Sequence, residues 1–417
     1  MAGRCEPTTS MLRRRGLLAL LAAYAPVSKP ADSHYTAGAA PSSLNAACAT
    51  PCVAAPQCQP LTSPPPQREV LAFHTAGASV WRDYDWAALT SIAVYGSPVD
   101  PHLLCTAHAH GVRVLMVCPA GCFGTDATTL GGKWGNVTFV RGWVNRSVQV
   151  VRDHGADGIF LDIETSPLSP LQATQLTEMV RRLADAMHAA QPSSLVTMAS
   201  FQLGLLLPDC GATGLPDYAG LARAVDWLVV MNYDANPWRR ADFANAPLPV
   251  VNRSLACYRQ FGVAAENLVL AFPWYGFVYT CARSDDSGLP LQHDGQGARR
   301  CNATAAHTVG WACPAPNCTG VPGSATDHEE YCMQSLIDRA VQLSWNENTS
   351  TPFAYFYEGG SELRRLDFDD NRSLAAKYQL AESAGARGIA MWTANGVGNP
   401  ESSSAAAQFW RGIPGMS

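Results

Sequence analysis

The chain has 417 residues, 47% of them hydrophobic and 15% charged, with a formal net charge of −5. This is globular composition, long enough for one large domain or two smaller ones. A mildly acidic chain with no basic tract gives no electrostatic reason to expect nucleic acid as a partner. Beyond the N-terminal segment no apolar run reaches the roughly 18 residues that would predict a membrane span.

In chain order, Arg13-Arg14-Arg15 precedes the apolar run Gly16–Ala25. That layout predicts a secretory signal over residues 1–25, too short to span a bilayer, with Ala23-Tyr24-Ala25 as a small-residue cleavage site and Pro26 directly after it. Two further features agree with export. The chain holds 14 cysteines, and Asn-x-Ser/Thr sequons begin at Asn136, Asn145, Asn252, Asn302, Asn317, Asn348 and Asn371. Loss of Cys5 with the signal would leave an odd number, so at least one thiol would stay free or pair outside the chain. Cys48/Cys52 and Cys118/Cys122 have tolerable zinc spacing but no matching second pair, so no metal site is expected. Residues 26–66, rich in Ala, Ser, Pro and Cys and ending in Ser63-Pro64-Pro65-Pro66, predict an extended, disulfide-tethered leader.

Short apolar runs then recur at Val70–Phe73, Ser91–Tyr95, Val112–Val117, Gly158–Leu161, Leu195–Met198, Trp227–Met231, Leu268–Phe272 and Gly388–Trp392. Each has the length of a strand buried on both faces, and most are rich in β-branched or aromatic residues. Helical periodicity lies between many of them. It is clearest over residues 170–190, where Leu176, Val180, Leu183 and Met187 share a face and Pro170 stands near the start. Gly111, Gly155 and Gly385 each close a helical stretch before a strand. Eight strands alternating with helices predict a (β/α)8 TIM barrel over residues 67–417. The seventh gap is too long for one helix. It predicts a disulfide-rich insertion of loops over about residues 281–350, with an extra strand at Thr351–Tyr357.

The stretch Gly155–Thr165 sets Asp162 and Glu164 in an apolar run with no Lys or Arg to pair them. On a barrel strand Phe160, Asp162 and Glu164 share the inward face, and Glu164 stands last, at the carboxyl end where barrel enzymes keep their chemistry. Asp157 faces away from Glu164 by parity and is expected to be a structural hydrogen-bond acceptor. Carboxylates two apart on one strand sit side by side, about 6.5–7 Å between Cα atoms. They cannot flank a sugar from opposite sides as an acid–nucleophile pair does. One can protonate a leaving oxygen while its charged neighbour keeps it protonated, which suits a substrate supplying its own nucleophile, such as a 2-acetamido group. His108 and His110, two apart at a helix end, do not share a helix face and read as solvated surface; His74 could edge the cleft.

The run from Asp157 to Glu164 resembles the DGxDxDxE signature of glycoside hydrolase family 18, the chitinase-type barrels. Met231-Asn232-Tyr233-Asp234, Pro273-Trp274-Tyr275-Gly276 and Met391-Trp392 agree with it. Within the family, Pro273–Cys281, Gly388–Asn395 and the leader cysteines Cys48, Cys52 and Cys58 resemble a lysosomal branch, over residues 48 to about 412. The resemblance implies Glu164 as general acid and later base. Asp162 would bond the acetamido nitrogen and stabilise an oxazolinium-like intermediate, and Tyr233 would bond the acetamido oxygen. Trp392 would floor the −1 sugar, with Asp234, Trp274 and Met231 lining the same subsite. It also implies no cofactor, a GlcNAc-containing oligosaccharide as partner, and a monomer in the lysosome or, alternatively, outside the cell. The implied reaction is cleavage of GlcNAcβ1–4GlcNAc in chitobiose-core oligosaccharides from the reducing end. The competing readings are a secreted chitinase and a non-catalytic lectin. One residue departs from the pattern: Phe160 stands where typical chitinases carry a third inward Asp and the lysosomal branch resembles Asn. Asp162 is therefore expected to lack a proton-sharing partner and to lean on Glu164 and Tyr233.

Overall fold

The computed structural model describes residues 52, 55–75, 79–96, 98–118, 133–206, 210–211, 213–235, 244–281, 301–310, 333–359, 362–397 and 404–414. The expected signal over 1–25, the leader before Cys52, and Cys122, Asn317, Cys313, Cys318 and Cys332 lie outside the described residues.

All eight expected barrel strands form: β1 (Glu69–His74), β2 (Ser91–Val94), β3 (Arg113–Val117), β4 (Gly158–Leu161), β5 (Leu195–Phe201), β6 (Trp227–Met231), β7 (Leu268–Pro273) and, after five intervening strands, β13 (Gly388–Trp392). They pair in parallel and close in the order β1-β13-β7-β6-β5-β4-β3-β2. The runs that carry no polar alternation are buried along their length, as strands between a packed interior and an outer helical layer must be. Neighbouring backbones approach closely at the strand starts: a Cβ on Gly388 would fall 1.9 Å from the Glu69 carbonyl oxygen.

Helices α1 (Pro101–Ala109), α2 (Val137–Asp153), α3 (Pro170–Ala190), α4 (Leu203–Leu206), α5 (Tyr218–Ala224), α6 (Leu248–Gln260), α7 (Met333–Asp338), α8 (Asn371–Ser383) and α9 (Ser404–Arg411) accompany the strands. Helix α3 starts where the periodicity places it. Ser169 and Gln172 form a capping box, Pro170 opens the first turn, and Leu176, Val180, Leu183 and Met187 are all buried. Among the described residues no helix is long and apolar enough to cross a membrane.

The insertion differs from expectation. It begins at once after the barrel, with β8 (Tyr275–Cys281), and continues through β9 (Cys301–Gly310), β10 (Gln342–Asn346), β11 (Thr351–Glu358) and β12 (Glu362–Asp367). These five strands form one antiparallel sheet in the order β10-β11-β12-β8-β9, rather than loops with a single extra strand. Alternate residues of the sheet serve opposite faces. On β12, Arg365 and Asp367 point the same way and join through two 2.7 Å bonds, with the Arg365 guanidinium 4.4 Å above the Phe353 ring.

The described part of the leader is bound along the barrel as well as tethered. Cys52 is disulfide-bonded to Cys105 on α1, and the Leu61 amide donates to Asp157 Oδ1 at 2.7 Å. The Ser63 and Pro66 carbonyls accept from Arg113 and Arg387. Asp157 is the structural acceptor expected, since its Oδ2 also takes the Val114 amide at 2.7 Å. His108 corrects the surface reading. It is buried, bridging Asp157 Oδ2 and the Gln57 carbonyl at 2.8 Å each, while His110 stays exposed against Trp86. A second disulfide joins Cys210 to Cys257, and Cys118 and Cys281 are also disulfide-bonded. The sulfurs of Cys52, Cys58 and Cys105 lie within 4.8 Å of one another, but the Cys52–Cys105 disulfide takes two of them out of metal ligation.

Candidate active site

Side chains from just past the carboxyl ends of β2, β4 and β6 gather about Trp392 at the end of β13. Asp162 follows β4 directly and is 8% exposed, while Glu164, two residues on, is partly exposed. The Asp162 amide donates to Cys118 Sγ at 3.3 Å. Its Oδ2 accepts a 3.2 Å bond from the hydroxyl of Tyr95, the residue after β2. Burial pushes the Tyr95 phenol well above its ordinary value, and the charges of Asp162, Tyr233 and Glu164 push it the same way. Tyr95 is therefore a fixed O–H donor facing all three residues.

Trp392, the last residue of β13, forms the centre of an aromatic cluster. The Tyr233 ring stacks on it at 5.9 Å and 24°, and Tyr95 meets it edge-on at 5.5 Å and 84°. Phe73 lies 5.1 Å from it, tilted at 58°, and is itself edge-to-face with Phe160 at 5.0 Å. Phe160 is thus buried, packed against Phe73. The Trp392–Thr393 peptide is cis.

Asp234 has a positive φ of 54°, held by its amide donating to Asn245 Oδ1 at 2.7 Å. The same Asn245, fully buried, donates to the Tyr275 carbonyl at 3.2 Å, and the Tyr275 hydroxyl donates to Asp234 Oδ1. Burial raises the Asp234 carboxyl from 3.8 to about 6, partly offset by the Tyr275 bond. The carboxyl is therefore poised between its neutral and charged forms on the acid side of neutrality. Tyr275 also meets Tyr233 at 6.3 Å. Met231 lines a narrow cleft with Glu164, Met198, Ser200, Pro216 and Tyr218.

The structure thus brings together Asp162, Glu164, Tyr233, Asp234, Met231 and Trp392. Trp274 does not join them. It is fully buried behind β7, edge-on to Phe409 and Trp410 at 5.5 and 5.0 Å, with Nε1 donating to the Tyr378 hydroxyl. Its ring fills core and has no face left for a sugar; only its amide reaches the pocket's frame, donating to the Trp392 carbonyl at 2.7 Å. His74 is likewise buried, bonded to Tyr84, and does not edge the cleft. Sequence reading missed Tyr95, Tyr275 and Asn245. Tyr95 closes an apolar run at a strand end, the one signal that could have found it.

The family model for glycosyl hydrolases family 18 matches residues 131–396. A probable di-N-acetylchitobiase 2 from Dictyostelium discoideum is 28% identical over 355 residues, covering 82% of this chain and 84% of that one. Di-N-acetylchitobiase of Rattus norvegicus is 28% identical over 351 residues, covering 83% and 86%. The fold also matches a class V chitinase from Nicotiana tobaccum, with a TM-score of 0.60, 19% identity and coverage of 82% and 99%. A chitinase-like agglutinin from Robinia pseudoacacia matches with a TM-score of 0.60, 17% identity and the same coverage. A family match over more than half the chain, on a closed eight-stranded barrel with paired carboxylates at the carboxyl end of its fourth strand, leads to one conclusion: this chain belongs to glycosyl hydrolase family 18 and is a glycosidase.

Proposed function

We propose that the chain is a retaining, substrate-assisted hydrolase that splits GlcNAcβ1–4GlcNAc in chitobiose-core oligosaccharides from the reducing end. The observation that supports this reading is Tyr95, whose hydroxyl bonds Asp162 and whose phenol responds to Glu164 and Tyr233, with Tyr233 stacked on Trp392. Glu164 gives its proton to the glycosidic oxygen as the bond to the anomeric carbon breaks. The acetamido carbonyl oxygen forms the replacing bond, giving an oxazolinium ion whose N–H is held by Asp162. The departing sugar leaves as an alcohol. Glu164, now a carboxylate, takes a proton from water, which attacks the same carbon, opens the ring and restores the acetamide with retained configuration. Trp392 offers a flat apolar face to the pyranose, and Tyr233 orients the carbonyl oxygen. The relatives named di-N-acetylchitobiase support the choice of linkage. We further place the protein, as a glycosylated monomer, in the secretory pathway with the lysosome as destination.

The test compares a chitobiose-core oligosaccharide with a free reducing end against the same glycan reduced to its alditol, at acidic pH, for the wild type and Glu164→Gln. Cleavage of the free form alone, lost in the variant, supports the proposal. Equal cleavage of both forms makes the protein an endo-acting chitinase, and binding with no cleavage makes it a lectin.

A further inference from the structure

We propose that Tyr95 is the positioning residue of Asp162, doing from β2 what the side chain below Asp162 on its own strand, Phe160, cannot do. The inference rests on the reading of Asp162 given under Proposed function. Phe160 shares the inward face with Asp162 but is buried against Phe73 and offers no hydrogen bond. The barrel supplies the donor from elsewhere. In register, Val94 lies level with Met116 and Met116 with Ile159, so the next residue on each strand sets Tyr95 level with Val117 and Phe160. Alternate strands feed the same interior layer, so a side chain at the end of β2 reaches the layer that β4 fills. The Tyr95 hydroxyl uses that reach to bond Asp162 Oδ2 at 3.2 Å, from two strands away.

The contact does more than fill a lone pair. Oδ2 is held by Tyr95 and the Asp162 amide by Cys118 Sγ, so the carboxylate is fixed at two points against rotation as it meets an acetamido N–H. The Tyr95 ring rests edge-on against Trp392, so the donor and the sugar floor share one support. The charged and titratable groups facing this pair are Glu164 beyond β4 and Tyr233 beyond β6. Tyr95 meets Trp392 edge-on, whereas Tyr233 stacks on it, so the two phenols approach the tryptophan differently.

Tyr95→Phe removes one oxygen and keeps the ring. A hydrogen bond to a carboxylate that matters most as the oxazolinium forms predicts a roughly 10- to 100-fold loss of kcat, with KM changed by less than about threefold. Adding Phe160→Asn returns a polar partner to Asp162 from its own strand. It should recover about tenfold or more of kcat in the Tyr95→Phe background and give no gain in the wild type. Affinity for a disaccharide thiazoline, a stable bicyclic mimic of the oxazolinium, should fall with kcat in Tyr95→Phe. An unchanged kcat in Tyr95→Phe, or an equal effect of Phe160→Asn with and without Tyr95, overturns the proposal while leaving Glu164-dependent cleavage intact. If the wild type cleaves nothing, the functional reading fails instead. The thiazoline then decides for Tyr95: weaker binding by the variant upholds the positioning role, and equal binding rejects it.

Discussion

Asp234→Asn should make the protein's stability respond differently to pH, in a direction fixed by burial. The Asp234 carboxyl rises from 3.8 to about 6 in the fold because it is held away from water, with the Tyr275 hydroxyl opposing the rise. Between those two values the folded chain holds a proton that the unfolded chain has released, so stability falls as pH climbs through the window and levels off above it. At 1.36 kcal/mol per pKa unit the full effect is about 3 kcal/mol, and the residue's partial exposure trims it to about 2. Asparagine keeps an acceptor for Tyr275 and the amide bond to Asn245, but cannot ionise. Urea denaturation of both proteins under non-reducing conditions, from about pH 4 to about pH 7.5, reads the effect as a difference in which other titrations cancel. The wild type should lose about 2 kcal/mol relative to the variant across that range, most of it below pH 6. A difference that stays flat within about 0.5 kcal/mol would refute the argument that burial controls this carboxyl.

Four further variants test the core, the site and the scaffold. Trp274→Ala should destabilise the fold by roughly 3–5 kcal/mol, seen as a lower Tm, because it empties a fully buried site against Phe409 and Trp410. Trp392→Ala should instead lose at least about tenfold in kcat/KM with a smaller change in Tm; the reverse pattern would return Trp274 to the sugar subsite. Asp157→Ala leaves the Leu61 and Val114 amides and His108 without their acceptor, which should cost roughly 3–5 kcal/mol and expose the leader to earlier cleavage in limited proteolysis. Gly388→Ala drives a methyl into the Glu69 carbonyl, backbone that cannot swing aside, and should sharply reduce soluble yield; normal folding would show that β1 and β13 can part without cost.

The barrel was legible because a strand buried on both faces leaves an unbroken apolar run, a local signal that β4, β6 and β7 carry plainly. The insertion was not, because β12 reads Glu-Leu-Arg-Arg-Leu-Asp: its charges are satisfied by pairing, Arg365 with Asp367 and Arg364 with Glu358 and Glu362, and no window of sequence announces that. His108 was misread for the same reason, its partners lying 49 and 51 residues away. The site divides likewise. Asp162 and Glu164 declare themselves as charges in an apolar run, whereas Tyr95 acts across a separation of 67 residues and looks locally like the end of a strand. Trp274 misled because a motif places its backbone beside the pocket while the ring turns away.

The antiparallel sheet starts at Tyr275, two residues past the end of β7, and that first side chain already grips Asp234. The seam between scaffold and insert therefore runs through the candidate site and not beside it. A chimera that exchanges the whole insert for one of another length would replace the hydroxyl that restrains the Asp234 carboxyl, along with whatever cleft shape was sought. A graft confined to the sheet beyond Tyr275, with Asn245 left as the brace beneath it, could alter how much glycan fits without resetting the acidity at which the pocket works.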